Sequence, residues 1–285
     1  MREVMRPSLA ERTTLRLGGT AIAELVLEDA ADLAALPERL RALGGSPLIL
    51  GAGSNILARD GDLPLVLLRP RFMRGPEIAG EKDGKILVRV GAGVPLPRLL
   101  RFCAGQGLSG LEGLVGIPGS VGGAVAMNAG SFGTETCKNI ESIQIVSNEA
   151  VQRVTVDALQ YGYRRLSISE EKEGFMVVEA TFGLTEDARD GISKRMRHNF
   201  FEKKSKQPVT AWSAGCVFKN PAQDMPAGKL LELTGYKGKK LGGMAFSTLH
   251  ANFLINEGRG SAEAALTLLH EAKEAVRQRF GYGLE

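Results

Sequence analysis

No stretch of this chain approaches the roughly 18 consecutive apolar residues that a membrane span needs, so insertion into a bilayer is not expected. Cysteine is scarce: Cys103, Cys137 and Cys216 make an odd number in a long chain and provide no disulfide framework. Nothing at the N-terminus resembles a signal h-region, and a reducing cytoplasm is the expected compartment. The histidines, at 198, 250 and 270, stand apart with no paired His or Cys at ligand spacing, so no metal site is expected. The GxSxG elbow of a serine hydrolase and the GxxxxGK[ST] phosphate loop are both missing, as are internal repeats. A net charge of +4 and a pI near 9.0 suit an anionic small molecule but are too diffuse to imply nucleic acid.

What is present is glycine in clusters. Residues 113–130, GLVGIPGSVGGAVAMNAG, combine glycines with small apolar residues and hardly a charge. Such a backbone lets a ligand come close, and successive N–H groups suit phosphate oxygens. Upstream, the apolar run Leu48, Ile49, Leu50 leads into Gly51-Ala52-Gly53-Ser54-Asn55. It starts like a dinucleotide fingerprint, yet position 56 is Ile where the third glycine is needed and no helix follows, so a Rossmann site is excluded. Gly91-Ala92-Gly93 fails in the same way. Turns and strands of this kind predict a phosphate-bearing cofactor held by loops between strands.

The 285 residues, 44% hydrophobic and 24% charged, fit a globular enzyme of about two domains. A strand over 22–27, a helix over 29–43 closed by Gly44-Gly45, and strands over 48–50 and 65–68 form a first α/β lobe. A second begins with a strand over 86–90 and a helix whose Leu96, Leu99, Leu100 and Cys103 share one face, making Cys103 a core residue. Strands over 140–146, 151–156 and 175–182 predict a mostly antiparallel sheet, with Cys137 in a polar turn before the first. A charged helix over about 186–204 leads to a boundary near 198–205. Beyond it lie an extended stretch at 215–218, a helix over 227–234, a strand over 251–255 and a terminal helix from Ser261, with Ala265, Leu268, Leu269, Ala272 and Val276 on one face and His270 solvated.

GAGSN followed by GLEGLVGIPGSVGGAVAMNAGSFG resembles the FAD-binding loops of the UDP-N-acetylenolpyruvoylglucosamine reductase (MurB) family. The opening Thr14-Leu15-Arg16-Leu17-Gly18-Gly19 fits that family's start, and the likeness runs from about Thr13 to the end of the chain. It implies an α+β fold: a two-lobed FAD-binding domain of the vanillyl-alcohol-oxidase (PCMH) type, spanning 1–75 and 76–200, plus a smaller α/β substrate-binding domain at 201–285. It further implies FAD as cofactor, NADPH as reductant and UDP-N-acetylglucosamine enolpyruvate as substrate, in a monomer serving peptidoglycan synthesis. The implied FAD contacts are Gly51, Gly53, Ser54, Asn55, Gly113, Ile117, Pro118, Gly119, Ser120, Gly122, Gly123, Asn128 and Gly130.

Tyr161-Gly162-Tyr163-Arg164 resembles the family's GYR segment, which makes Arg164 the arginine facing the substrate carboxylate; Arg165 is the rival if the register slips by one. Ser213-Ala214-Gly215-Cys216-Val217-Phe218-Lys219-Asn220-Pro221 resembles AGSxFKNP, whose serine donates a proton. Here that position holds Cys216, a far stronger acid than an alcohol, although a small buried hydrophobe beside Val217 and Phe218 is the other reading of this residue. By the same likeness Lys206 contacts the substrate diphosphate, and Asn220 and His250 line the substrate. Glu285 matches the first glutamate of a Leu-Glu-x-Glu-Val-Arg stretch, so the family's catalytic glutamate is expected two positions further on. The short connection after residue 182 resembles the type lacking a tyrosine-bearing insertion. Two alternatives stay open: another flavin oxidoreductase of this fold, and a non-catalytic flavin- or nucleotide-binding relative.

Overall fold

Caps written into the sequence start the long helices in this computed structural model, which describes residues 1–147, 150–168, 174–222 and 224–285. Asp29 accepts a hydrogen bond from Asp32 N at 2.9 Å and opens helix Ala30–Leu43. Ser261 does the same through Ala264 N, at 3.1 Å, for the terminal helix Ala262–Phe280. Satisfying a first-turn N–H in this way typically stabilises a helix by about 1 kcal/mol.

The chain divides into two compact units that are not consecutive in sequence. Unit 1 comprises Met1–Val4, Ala23–Ala52 and Val66–Glu202; unit 2 comprises Met5–Ile22, Gly53–Leu65 and Lys203–Glu285. The chain thus leaves unit 1 within the GAGSN turn, between Ala52 and Gly53. A four-stranded sheet has the order Arg2–Met5, Thr20–Leu27, Asp62–Pro70, Ser46–Ile49.

The main sheet of unit 1 runs Ala150–Thr155, Ile140–Ser147, Met176–Glu186, Lys85–Gly91, Glu77–Lys82, all antiparallel, with the short Leu108–Ser109 also paired to Met176–Glu186. Helix Leu96–Gln106 buries the expected face, Leu96, Leu99, Leu100 and Cys103, among Val88, Val90, Ile143, Ile145 and Phe182. Cys137 opens the one-turn helix Cys137–Asn139 just before strand Ile140–Ser147, as expected, and its side chain is fully buried in the same core. Burial pushes its thiol up to about 12, helped by the charge of Glu135. The 113–130 segment is likewise more than loop. It contains a short helix, Val121–Ala126, capped by Ser120, whose Oγ accepts from Gly123 N at 3.3 Å.

In unit 2 an antiparallel sheet of order Trp212–Cys216, Phe253–Asn256, Met244–Phe246, Lys240–Leu241 packs with helices Ala227–Leu233 and Ala262–Phe280. Its core joins Leu15 and Leu17 from the start of the chain to Phe218, Leu230, Phe246, Leu254 and Leu268. The terminal helix buries Ala265, Leu268, Ala272 and Val276, while His270 is exposed.

Candidate active site

In unit 1 the glycine clusters meet. Val121 N donates to Val94 O, Gly122 N to Ala92 O and Leu96 N to Gly119 O, each at 2.9 Å, which staples the 113–130 segment to the turn after strand Lys85–Gly91. The glycines make this approach possible: a Cβ at Gly122 would stand 2.8 Å from Ala92 Cβ, and one at Gly51 2.6 Å from Ser120 Oγ. Gly51 is also reached from below by Arg69, whose Nη1 donates to Gly51 O at 3.3 Å while its Nε is ion-paired with the buried Glu24. Arg69 Nη2 is a buried donor with no partner among the described residues.

The far end of the segment holds Arg164. This residue takes the left-handed backbone, φ 56°, and its guanidinium donates to Gly130 O at 2.7 Å and to Asn128 O at 3.3 Å. Arg165 instead lies exposed in the hairpin strand Arg165–Ile168. Asn128 is 1% exposed, and its amide is spent inside the protein: Nδ2 donates to Gly162 O and Glu135, and Oδ1 accepts from Cys137 N. Its side chain therefore positions the Arg164 turn and offers nothing to a ligand. Gly113 is buried against Thr134 and Ser131, whereas Pro118 and Gly123 are exposed and Ile117 and Gly119 half-buried.

In unit 2 the second half of the GAGSN turn is tied to the strand carrying Cys216. Thr14 N donates to Gly53 O at 3.1 Å and Thr14 Oγ1 to Ser213 O at 2.6 Å. Gly53 is buried, Ser54 half-buried and Asn55 exposed. Cys216 is exposed at the end of strand Trp212–Cys216, opposite Phe253. Its chain neighbours are clamped by Asn252, which is 3% exposed: Oδ1 accepts from Phe218 N at 3.1 Å and Nδ2 donates to Phe218 O at 2.8 Å. His250, two residues before that asparagine, accepts from Asn252 N through Nδ1 at 3.2 Å, which leaves its neutral form with the proton on Nε2. Burial holds its pKa below the usual histidine value, with Lys237 acting in the same direction.

Asn220 is exposed and spends its Oδ1 on Ala227 N, at 3.0 Å, leaving its Nδ2 as the group on offer. Lys206 ends helix Arg189–Lys206 and is exposed. Glu285 lies beside this segment too, its carbonyl accepting from Lys219 N at 2.8 Å. Thr14, Arg69 and Asn252 were missed in the sequence because each acts through a nonlocal hydrogen bond; only Thr14, within the opening segment, had a signal that could have found it.

Residues 207–285 match the family described as UDP-N-acetylenolpyruvoylglucosamine reductase, C-terminal domain, and residues 22–154 match the FAD binding domain family. The chain is 50% identical over 279 residues to a UDP-N-acetylenolpyruvoylglucosamine reductase of Nitratidesulfovibrio vulgaris, covering 98% of this chain and 94% of that one. It is 48% identical over 282 residues to that of Oleidesulfovibrio alaskensis, with the same coverage of 98% and 94%. The crystal structure of the reductase from Thermus caldophilus, 33% identical, superposes with a TM-score of 0.80 over 100% of this chain and 96% of that one.

Proposed function

This chain belongs to the UDP-N-acetylenolpyruvoylglucosamine reductase family, and we propose that it reduces UDP-N-acetylglucosamine enolpyruvate to UDP-N-acetylmuramate for peptidoglycan synthesis, using FAD and NADPH. We place the reaction in the cytoplasm and expect a monomer; no helix among the described residues is long and apolar enough to cross a membrane. The observation that carries the reading is Arg164, whose guanidinium is held on the carbonyls that end the glycine-rich segment.

The residues fit FAD. Exposed Gly123 and Ala126 leave the segment open on one side, and the neighbouring donors are the Ser120 hydroxyl and the Arg69 cation, whose Nη2 has no partner among the described residues. Such donors suit a diphosphate. Gly51, Gly53, Ser54, Asn55, Gly113, Ile117, Pro118, Gly119, Ser120, Gly122, Gly123 and Gly130 would hold the cofactor by main chain and small side chains, and Asn128 would set their geometry. When bound, FAD supplies a hydride relay from NADPH to the terminal vinyl carbon of the substrate.

Hydride addition there places negative charge on the carbon next to the carboxylate. Arg164 meets that charge with a planar, permanently cationic donor already oriented by two hydrogen bonds, so little reorganisation is needed as the charge develops. Cys216 then gives its proton to that carbon; a thiol with a free pKa of about 8.5 is protonated at neutral pH and acidic enough to donate. Lys206 would neutralise the substrate diphosphate, with Asn220 Nδ2 and the Nε2–H of His250 as neutral donors. Only two residues separate strand Met176–Glu186 from helix Arg189–Lys206, which supports the type without the tyrosine-bearing insertion.

The test is an anaerobic spectrum of the purified chain, treated with NADPH and then with UDP-N-acetylglucosamine enolpyruvate. The flavin band should bleach with the first addition and return with the second. Bleaching without return would remove the assigned substrate, and no bleaching would remove the reductase reading altogether.

A further inference from the structure

Arg164 rests its guanidinium on two main-chain carbonyls, those of Asn128 and Gly130, and makes no ion pair among the described residues. What aims the cation is therefore whatever fixes those carbonyls. One short stretch, 134–137, fastens every residue from 128 to 130. Gly130 is the ladder partner of Glu135 in the pair of strands Gly130–Ser131 and Thr134–Glu135. Ala129 O accepts from Thr136 N at 2.9 Å and from the buried Thr136 Oγ1 at 2.7 Å. The Asn128 amide is gripped at both ends: Oδ1 accepts from Cys137 N at 3.0 Å and Nδ2 donates to Glu135 Oε2 at 2.9 Å.

Glu135 is the charged member of this clasp, and it reaches both supports of the guanidinium, Gly130 through the main chain and Asn128 through its carboxylate. The space is tight. A Cβ at Gly130 would stand 2.8 Å from Thr134 O and 3.1 Å from Arg164 Nη1, with Glu135 Cγ at 3.4 Å, so a bare glycine lets arginine and glutamate close in on the same residue. Asn128 itself sits at φ 38°, a left-handed conformation that side-chain hydrogen bonds help an asparagine to keep.

The Glu135 carboxylate forms no ion pair with Arg164. Its Oε1 is paired instead with Lys138 at 2.6 Å. Lys138 first, and Asn128 after it, hold the carboxyl below the usual carboxylate range, so it is ionised at neutral pH. A carboxylate placed directly on Arg164 would offset the charge that the reaction needs. One spent on Lys138 and Asn128 orients the cation and leaves its charge available.

We infer that Glu135 is a positioning residue: through Asn128 it fixes the carbonyl that aims Arg164 at the negative charge developing on the substrate. The role rests on the reductase reading of Arg164, since that charge arises in the second half-reaction.

Rapid mixing and crystallography of the flavin-loaded full chain test it by separate routes. Glu135→Ala should bleach with NADPH at the parent rate and reoxidise with UDP-N-acetylglucosamine enolpyruvate roughly tenfold more slowly, the size of a typical coupling within one hydrogen-bonded network. Glu135→Gln keeps an acceptor for Asn128 and should recover to within about threefold of the parent. Because Glu135 acts through Arg164, adding Glu135→Ala to Arg164→Lys should slow reoxidation by less than about twofold further. In the crystal structure of Glu135→Ala the guanidinium should leave Asn128 O, and in that of Glu135→Gln it should stay. The role is overturned by an alanine variant that reoxidises within about twofold of the parent, or by a double variant that carries the full product of both losses. A glutamine variant as slow as the alanine one overturns it too, as does an alanine structure with the guanidinium in place. Equal slowing of both half-reactions, the mark of general loosening, does the same. If the parent itself bleaches without return, the assigned substrate falls, and the guanidinium position in the two crystal structures still decides whether Glu135 aims Arg164.

Discussion

The 113–130 segment of unit 1 and the 213–220 segment of unit 2 hold their functional residues by opposite means. The first is held through its own backbone, stapled to the neighbouring turn by main-chain hydrogen bonds, and Asn128 within it, like Phe132 and Arg164 outside it, adopts a left-handed conformation. The second is fixed mainly from outside, by the two-ended amide of Asn252 on Phe218 and by Thr14, whose Oγ1 donates to Ser213 O, although Gly215 takes a positive φ of 83° where the strand pairing shifts register. Where the backbone does the holding, an added methyl group is the danger. Where an asparagine does it, the danger is a lost amide.

The comparison can be broken most sharply at Cys216. Cys216→Ala should slow flavin reoxidation by substrate roughly 10²- to 10⁴-fold while bleaching by NADPH proceeds normally, whereas Cys216→Ser retains a donor and most of the rate; rapid-mixing traces at the flavin band decide this. Arg164→Lys replaces a two-pronged donor by a point charge and should cost roughly 10²-fold in the same half-reaction; an unchanged rate would pass the role to Arg165.

Stability effects come next. Asn252→Ala strands the buried N–H and C=O of Phe218 and should cost about 2–3 kcal/mol in urea unfolding, and a loss below about 0.5 kcal/mol would mean the clamp is not what fixes the Cys216 strand. Gly122→Ala puts a methyl against Ala92 and should cost about 1–3 kcal/mol on the unit 1 side; a neutral result would show that the staple can widen.

The smallest effect concerns pH. Burial keeps His250 below the ordinary value of 6.5, so the unfolded chain takes up this proton first on acidification. The contribution of the neutral ring is complete above about pH 6.5 and is lost as the pH falls through the folded-state value. His250→Gln should flatten that part of the stability profile, and an unaltered slope in unfolding experiments between pH 7 and 5 would assign the proton uptake elsewhere.

Most elements could be read locally because their signals are local. Asp29 and Ser261 cap helices, and the faces of Leu96–Gln106 and Ala262–Phe280 repeat at helical spacing. Strand Glu77–Lys82 was not legible from composition: its sequence, EIAGEK, is charged and exposed throughout most of its length. Pairing with Lys85–Gly91 creates it, and the one available clue was Asp83-Gly84, a hairpin turn signal with both residues at positive φ. The turn that carries Cys137 was legible, but its burial was not, because a polar local sequence says nothing of what covers it. The site divides the same way. Glycine-rich turns announce a backbone built for close approach, but that Asn128 works inward and that Arg69 lies beneath Gly51 depends on partners far along the chain.

The discontinuity of unit 2 sets a timetable for synthesis. Leu15 and Leu17 leave the ribosome early, yet the side chains that cover them, among them Phe218, Leu254 and Leu268, are made about 200 residues later, roughly 10–40 s at bacterial elongation rates. During that interval the nascent chain carries Leu15 and Leu17 uncovered, and the unit 1 sheet itself waits for its middle strand, Met176–Glu186. The core of unit 2 is thus built from both ends of the chain and can close only once residues from 218 onward have been made.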